Sequence, residues 1–155
     1  MSQMRRLMGI DHGEVRIGVA LSDPLGMFAS PHTIITHSTR EEDFAALARI
    51  AHSEGVVKIV IGLPTDSEGR IGHQAARVVE WARAFAEVVG VPIVFWDESY
   101  SSAGAAEVLQ STGKRRRRGE PLDDVAAAAI LQEYLDAGGS EREPGRPLED
   151  LEDLS

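Results

Sequence analysis

Three acidic positions in this chain stand beside apolar runs of the kind that fold into buried strands or helices. They are Asp11 in MGIDHGEVRIGVALSD, Glu98 in VPIVFWDESYSS, and the Asp123–Asp124 pair in PLDDVAAAAIL. Removing an unpaired carboxylate from water costs several kcal/mol, so acids in such settings call for a partner. Three carboxylates brought together would repel one another, and a shared divalent cation removes the conflict. Hard oxygen donors suit Mg²⁺ or Mn²⁺. Two such ions about 3.5–4 Å apart activate a water on one side of a phosphodiester and stabilise the leaving oxygen on the other. Metal-dependent phosphodiester hydrolysis is therefore the chemistry this acid set suits. Each acid taken alone also has an ordinary explanation: Asp11 as a turn residue before Gly13, Glu98 as a solvated loop acid, and Asp123 as a favourable charge in the first turn of a helix. At about 100° per residue, Asp123 and Asp124 both fall away from the polar face formed by Gln132, Glu133 and Asp136, and they flank the apolar stripe almost symmetrically. Periodicity leaves the choice between them open.

The elements that must position these acids read as βββαβαβαα. Leu7–Ile10 and Val15–Leu21 form two strands around the turn-forming DHGE, and His32–Thr36 suits a third. Phe44, Leu47, Ala48 and Ala51 recur at helical spacing, with Ser38 or Thr39 as the cap and Gly55 as the stop. VVKIVIGL (Val56–Leu63) and VPIVFW (Val91–Trp96) have the makeup of buried parallel strands. The stripe Ala75, Val78, Val79, Ala82, Phe85 and Val89 makes the crossover helix between them, closed by Gly90. A helix capped by Ser101 or Ser102 and running to about Gln110 follows, then a last helix with Pro121 as its first residue, ending before Gly138. The fold class expected is α/β, a mixed five-stranded sheet of three antiparallel strands followed by parallel crossovers, with helices on both faces.

The chain has 155 residues, 43% of them apolar and 26% charged, which is the makeup of one compact domain that buries its own core. The expected division is one domain over residues 1–138 and an acidic tail over 139–155 with too little apolar surface to order itself. The absence of cysteine excludes disulfides and thiolate zinc sites. No long apolar leader or run of about 18–20 apolar residues occurs, so the expectation is a cytoplasmic protein with no membrane association. The net charge of −9 is unpromising for a nucleic-acid partner, but the tail holds six acids against Arg142 and Arg146. The opposing feature is KRRRR, Lys114, Arg115, Arg116, Arg117 and Arg118, whose local field is positive on an acidic protein. A run of this kind is often no more than a solvated loop. Its nearness in sequence to Asp123 assigns it to a phosphate backbone. No histidine pair has zinc-ligand spacing, and His12 should point to the face opposite Asp11 if the strand continues through it.

With those residues in view, the chain resembles the YqgF/RuvX family, small nucleases of the ribonuclease H-like superfamily. The parts that carry the resemblance are DHGEVRIGVALSD from Asp11, IVIGLPTDSEG from Ile59, DESYSSAGA from Asp97 and LDDVAAAAILQEYL from Leu122. The resemblance implies a ribonuclease H-like fold and metal-dependent cleavage of nucleic acid. It also implies that Asp11, Glu98 and Asp123 are the catalytic and metal-binding acids. Asp123 is preferred to Asp124 because it stands three residues before Ala126 and Ala127 in the family's D-x-x-A-A pattern. Arg16 matches the basic position after the first acid, and Ser101 or Ser102 keeps the small hydroxyl of the loop after Glu98, so these join the basic run as substrate contacts. Two departures stand out: Ser99 replaces the family's usual arginine, and His12 replaces a small or aromatic residue. The resemblance implies two settings, 5′-end trimming of the pre-16S rRNA and resolution of Holliday junctions, of which the RNA role is preferred. A homodimer would suit a junction with its two cleavage sites. Two rivals differ in class. A nucleotide-dependent phosphotransferase of the actin-like kind would need two such domains and the chain has room for one; a purely binding module gains nothing from a carboxylate cluster.

Overall fold

The computed structural model describes residues 5–64, 72–97, 120–139 and 143–148. Its elements in chain order are β1 (Arg6–His12), β2 (Arg16–Ser22), β3 (Ala29–Thr36), α1 (Arg40–Ser53), β4 (Val56–Leu63), α2 (His73–Val89), β5 (Ile93–Asp97), α3 (Asp123–Asp136) and β6 (Arg146–Pro147). The sheet runs β3-β2-β1-β4-β5-β6. β1, β2 and β3 pair antiparallel, β1, β4 and β5 pair parallel, and β6 returns antiparallel along β5. The α/β mixed sheet with helices on both faces is as expected.

Strand alternation divides the core into two layers. Met8 and Ile10 of β1, Ile59 and Ile61 of β4 and Phe95 of β5 face α1 and α2, where Phe44, Leu47, Val78 and Phe85 cover them. Leu7, Ala20, Val60 and Val94 face the other way, onto Val125, Ala128, Leu131 and Tyr134 of α3. α1 starts where Thr39 accepts a hydrogen bond from the Glu42 N–H at 3.1 Å, and the helix is followed by Gly55 at φ 68°. α2 is closed by Gly90 at φ 67°, a left-handed conformation that glycine adopts at no steric cost.

α3 differs from the other helices in how closely it lies on the sheet. Its central residues Ala127, Ala128 and Ala129 are fully buried. Beneath them β1 and β2 carry glycines: a Cβ on Gly9 would lie 2.8 Å from the Ala127 carbonyl oxygen, and one on Gly18 would overlap the Asp123 carbonyl. Small residues on both sides let the backbones approach.

Two expectations are corrected. Among the described residues the sheet has six strands rather than five, because Arg146 and Pro147 pair with Phe95 and Val94 within the stretch expected to lack structure. Two residues, one charged and one without an N–H, carry no strand pattern, and proline is tolerated there because the strand is an edge. The last helix begins at Asp123 rather than Pro121; Leu122, at φ −119°, is still outside the helix, and the first helical bond runs from the Ala126 N–H to the Leu122 carbonyl at 2.9 Å. The helix expected after Ser101 lies outside the described residues.

Gly18→Ala tests the packing directly. The added methyl has to push α3 off the sheet, and the expected loss of stability is about 1–3 kcal/mol or more, the range for overpacking a filled site. Urea unfolding of the variant beside the parent measures it.

Candidate functional site

Asp11 belongs to the β1 series Leu7, Gly9, Asp11, whose earlier members face α3. Its partner across the hairpin is Gly18, and Gly18 lies under the backbone of Asp123 and Asp124. The Asp11 position near the end of β1 and the first residue of α3 therefore lie at the same end of the sheet. β4 and β5 run parallel to β1, with Ile10, Ile61 and Phe95 in line, so their C-terminal ends share that edge. Open α/β sheets place their ligands at such an edge.

Of the two aspartates that periodicity left open, Asp123 is the one turned to the hairpin. Its Oδ2 accepts a 2.7 Å hydrogen bond from Arg16 Nε, and its Oδ1 lies 3.9 Å from where a Cβ on Gly13 would stand. The Asp123 side chain keeps 20% of its exposure. Asp124 is packed in the core at 7%, and its Oδ1 accepts from the Val125 N–H at 2.9 Å. Arg16, expected to contact substrate, thus has its Nε on Asp123. A charge-assisted bond of this length fixes the carboxylate's direction.

β5 ends at Asp97, whose Oδ2 accepts from Arg146 Nη2 at 3.2 Å. Glu98 follows, and it lies outside the described residues, as do Ser101, Ser102 and the basic run Lys114, Arg115, Arg116, Arg117 and Arg118. Among the described residues no three His, Cys, Asp or Glu side chains cluster as a complete metal site. Asp11 and Asp123 are the two expected acids the structure brings to one edge.

His12 lies on the face opposite Asp11, its ring 4.4 Å from Trp81 and 5.2 Å from His37 between centroids. His37 is a residue that sequence reasoning missed. Its Nε2 donates to the Gly13 carbonyl at 2.8 Å, its Nδ1 meets Asp43 Oδ2 at 2.7 Å, and its own N–H donates to the Val15 carbonyl at 3.0 Å. The end of β3 thereby pins the turn between Asp11 and Arg16. Asp43, buried at 3%, is further satisfied by the Ser38 N–H at 3.2 Å. A lone histidine 24 residues from its carbonyl partner leaves no mark in the spacing of a sequence.

A family model described as RuvX: Holliday junction resolvase matches residues 5–137. The chain belongs to this family. A protein of Syntrophomonas wolfei is 43% identical over 132 residues, covering 84% of this chain and 94% of its own. One of Moorella thermoacetica is 44% identical over 132 residues with the same coverage. Both carry the name "Putative pre-16S rRNA nuclease". Among solved structures, Thermus thermophilus RuvC in complex with Holliday junction substrate superposes with a TM-score of 0.63 at 16% identity, covering 92% of this chain and 99% of that one. Fowlpox virus resolvase with Holliday junction DNA gives 0.55 at 10% identity, covering 85% and 97%. At these identities the likeness is one of fold, and it bears out the ribonuclease H-like class.

Burial, and after it the neighbouring His37, lowers the His12 pKa from 6.5 to about 4. Arg40 acts in the same direction, while the His12 backbone hydrogen bond and Asp43 act against it. The unfolded chain takes up a proton near pH 6.5 and the folded one does not until about pH 4, so His12 costs stability as pH falls through that window and nothing above it. In proton NMR the His12 ring should titrate near pH 4. His12→Phe should flatten the fall in unfolding free energy between pH 6.5 and 4.

Proposed function

We propose that the chain is a metal-dependent endonuclease that hydrolyses phosphodiester bonds in nucleic acid, and that its substrate is the pre-16S rRNA, trimmed at the 5′ end in the cytoplasm. The observation that carries the reading is the meeting of Asp11 and Asp123 across Gly18 at the C-terminal edge of the parallel strands. Glu98 supplies the third carboxylate in this reading. Val94 faces α3 and Trp96 packs with that layer, and Glu98 follows in sequence directly after the end of β5. An all-oxygen donor set of carboxylates suits Mg²⁺ or Mn²⁺ rather than a softer ion. Bound there, such an ion lowers the pKa of a water and offsets charge developing on the phosphoryl group.

The chain's own residues do the rest. Asp11 and Asp123 would hold the ion, and Arg16 fixes the direction of the Asp123 carboxylate through the 2.7 Å bond. The rest of the Arg16 side chain, with Ser101 or Ser102 and the run Lys114 to Arg118, grips the phosphate backbone, which gives affinity with little sequence preference. The relatives' name favours RNA. The second reading, a Holliday junction resolvase acting as a homodimer, is favoured by the description of the family.

Cleavage of labelled pre-16S rRNA, unstructured RNA and a four-way DNA junction, each with Mn²⁺, Mg²⁺ or chelator, tests the proposal. Metal-dependent cutting of the rRNA precursor is expected. Asp11→Asn and Asp123→Asn should each lower it by more than the roughly 10–100-fold that loss of a group merely supporting a ligand costs, and Arg16→Gln should fall within that range. A folded protein that cuts none of the three, or that cuts equally in chelator, would sink the reading. Preference for the junction would move the substrate to DNA.

A further inference from the structure

Gly13 links two groups that stand on different faces of the sheet. Its N–H donates to the Arg16 carbonyl at 2.9 Å, closing the turn that joins β1 to β2. A Cβ on it would stand 2.8 Å from that oxygen and 3.9 Å from Asp123 Oδ1, so the glycine lies beside the acid as well as beside the arginine backbone. Its carbonyl accepts from His37 Nε2 at 2.8 Å. Hydrogen bonds therefore run without a break from Asp43 through His37, Gly13 and Arg16 to Asp123. Coupling between two faces of a sheet needs a physical path of this kind.

The far end of the path is firm. His37 Nδ1 meets Asp43 Oδ2 at 2.7 Å, in a pair whose side chains keep 24% and 4% of their exposure. Asp43 is set in the first turn of α1 and accepts from the Ser38 N–H at 3.2 Å. Arg40, on the same turn, is engaged by Glu80 of α2 through bonds of 2.9 and 2.8 Å, so the ring that meets Asp43 is that of His37. A carbonyl and a carboxylate oxygen only accept hydrogen bonds, so the ring serves both ends when each of its nitrogens carries a hydrogen. The His12 ring, 5.2 Å from His37 and 4.4 Å from buried Trp81, backs it by packing. His37 holds the turn a second time through its own N–H, which donates to the Val15 carbonyl at 3.0 Å. Loss of the side chain leaves that bond and the β2–β3 pairing in place, and removes the hold on Gly13 alone.

We propose that His37, seated on Asp43, is a positioning residue for the nuclease site: it holds Gly13 from one face of the sheet so that Asp11 and the Arg16–Asp123 pair keep their places at the edge. Asp11 and Arg16 stand on either side of this turn. A turn free to rock at Gly13 shifts one acid directly and the other through the arginine bonded to it. The inference rests on the reading of Asp11 and Asp123 as metal-binding acids.

The test uses the full chain in two variants, Asp43→Asn alone and Asp43→Asn with His37→Phe. The first removes the buried charge, so the second leaves no carboxylate stranded beside an apolar ring. In Asp43→Asn the new amide donates to Nδ1 and a neutral ring still donates from Nε2 to Gly13; in the double variant a ring remains and the Gly13 bond is gone. Three quantities are read: the Arg16 Nε–H signal by heteronuclear NMR, Mn²⁺ affinity by calorimetry, and kcat and KM on whichever nucleic acid the parent cuts. Relative to Asp43→Asn, the double variant should bind Mn²⁺ and turn over about 10-fold less well with KM changed by less than about twofold. Its Arg16 Nε–H should exchange faster with water. Equal kcat and Mn²⁺ affinity in the two variants would overturn the proposal, and so would a loss that follows the fraction unfolded in thermal denaturation. A parent that neither binds Mn²⁺ nor cuts would remove the nuclease reading itself. The Arg16 signal would still decide whether His37 steadies the turn, and an unchanged signal in the double variant would overturn the positioning role on its own.

Discussion

Everything at the candidate site depends on the distance between α3 and the β1–β2 hairpin. A helix normally rides on a sheet over a layer of branched side chains; here Gly9 and Gly18 below and three buried alanines above remove that layer. Glycine inside a strand costs about 0.5–1 kcal/mol relative to alanine, and the alanines forgo the larger burial that leucine or isoleucine would supply. What the arrangement obtains in return is position. The first residue of α3 lies on the register partner of Asp11, so backbone contact brings two acidic positions from opposite ends of the chain to one edge of the sheet. A methyl group at Gly18 would meet the Asp123 backbone and push the start of α3 away from β1.

Concentrating acids at one edge is unfavourable in itself, and the surrounding charges answer it locally. Arg16 bonds Asp123 from the hairpin that also carries Asp11, so both groups move with the same turn. That turn is held from the other face of the sheet, where His37 bridges the Gly13 carbonyl to the buried Asp43. Arg146 answers Asp97 at the end of β5. The His37–Asp43 and Arg16–Asp123 contacts are partly shielded from water, whereas the Arg146–Asp97 and Arg40–Glu80 pairs are more open and contribute little. Both faces of the sheet therefore serve one edge: α3 supplies an acid from one side, and the His37 bridge steadies the turn from the other.

What was legible in the sequence follows from which interactions repeat. Apolar runs and helical stripes repeat, so β4, α2 and the hairpin were readable to within a residue or two, as were the stops at Gly55 and Gly90. Asp11 was readable as a carboxylate out of place beside a strand. The choice between Asp123 and Asp124 was not readable from periodicity, because both flank the stripe; what distinguishes them in the fold is the Arg16 bond to Asp123, a contact 107 residues away. The His37 bridge and the Arg146–Asp97 pair were invisible for the same reason, being single long-range contacts with no local pattern. The tail misled because composition averages over a stretch. Its acids and prolines read as unstructured, yet Glu143, Gly145, Arg146 and Leu148 each make one specific contact, and together these hold a strand.

The net charge of −9 sets a last constraint on how such a site works. A phosphodiester approaching an edge lined with carboxylates meets repulsion from the groups that are to cleave it. In physiological salt, charges more than about 8 Å away are largely screened, so neither the acidic surface elsewhere nor distant basic residues decide the matter. Attraction has to come from cations within that reach. On the proposed reading these are the bound metal, the arginine fixed on Asp123, and the basic run close in sequence to it. On that reading a metal would serve binding before chemistry: without it the acids would repel the substrate, and with it they would hold the charge that attracts it. Such a site gives phosphate contacts to RNA and DNA alike, so discrimination between them falls to the shape of the strand that reaches the edge of the sheet.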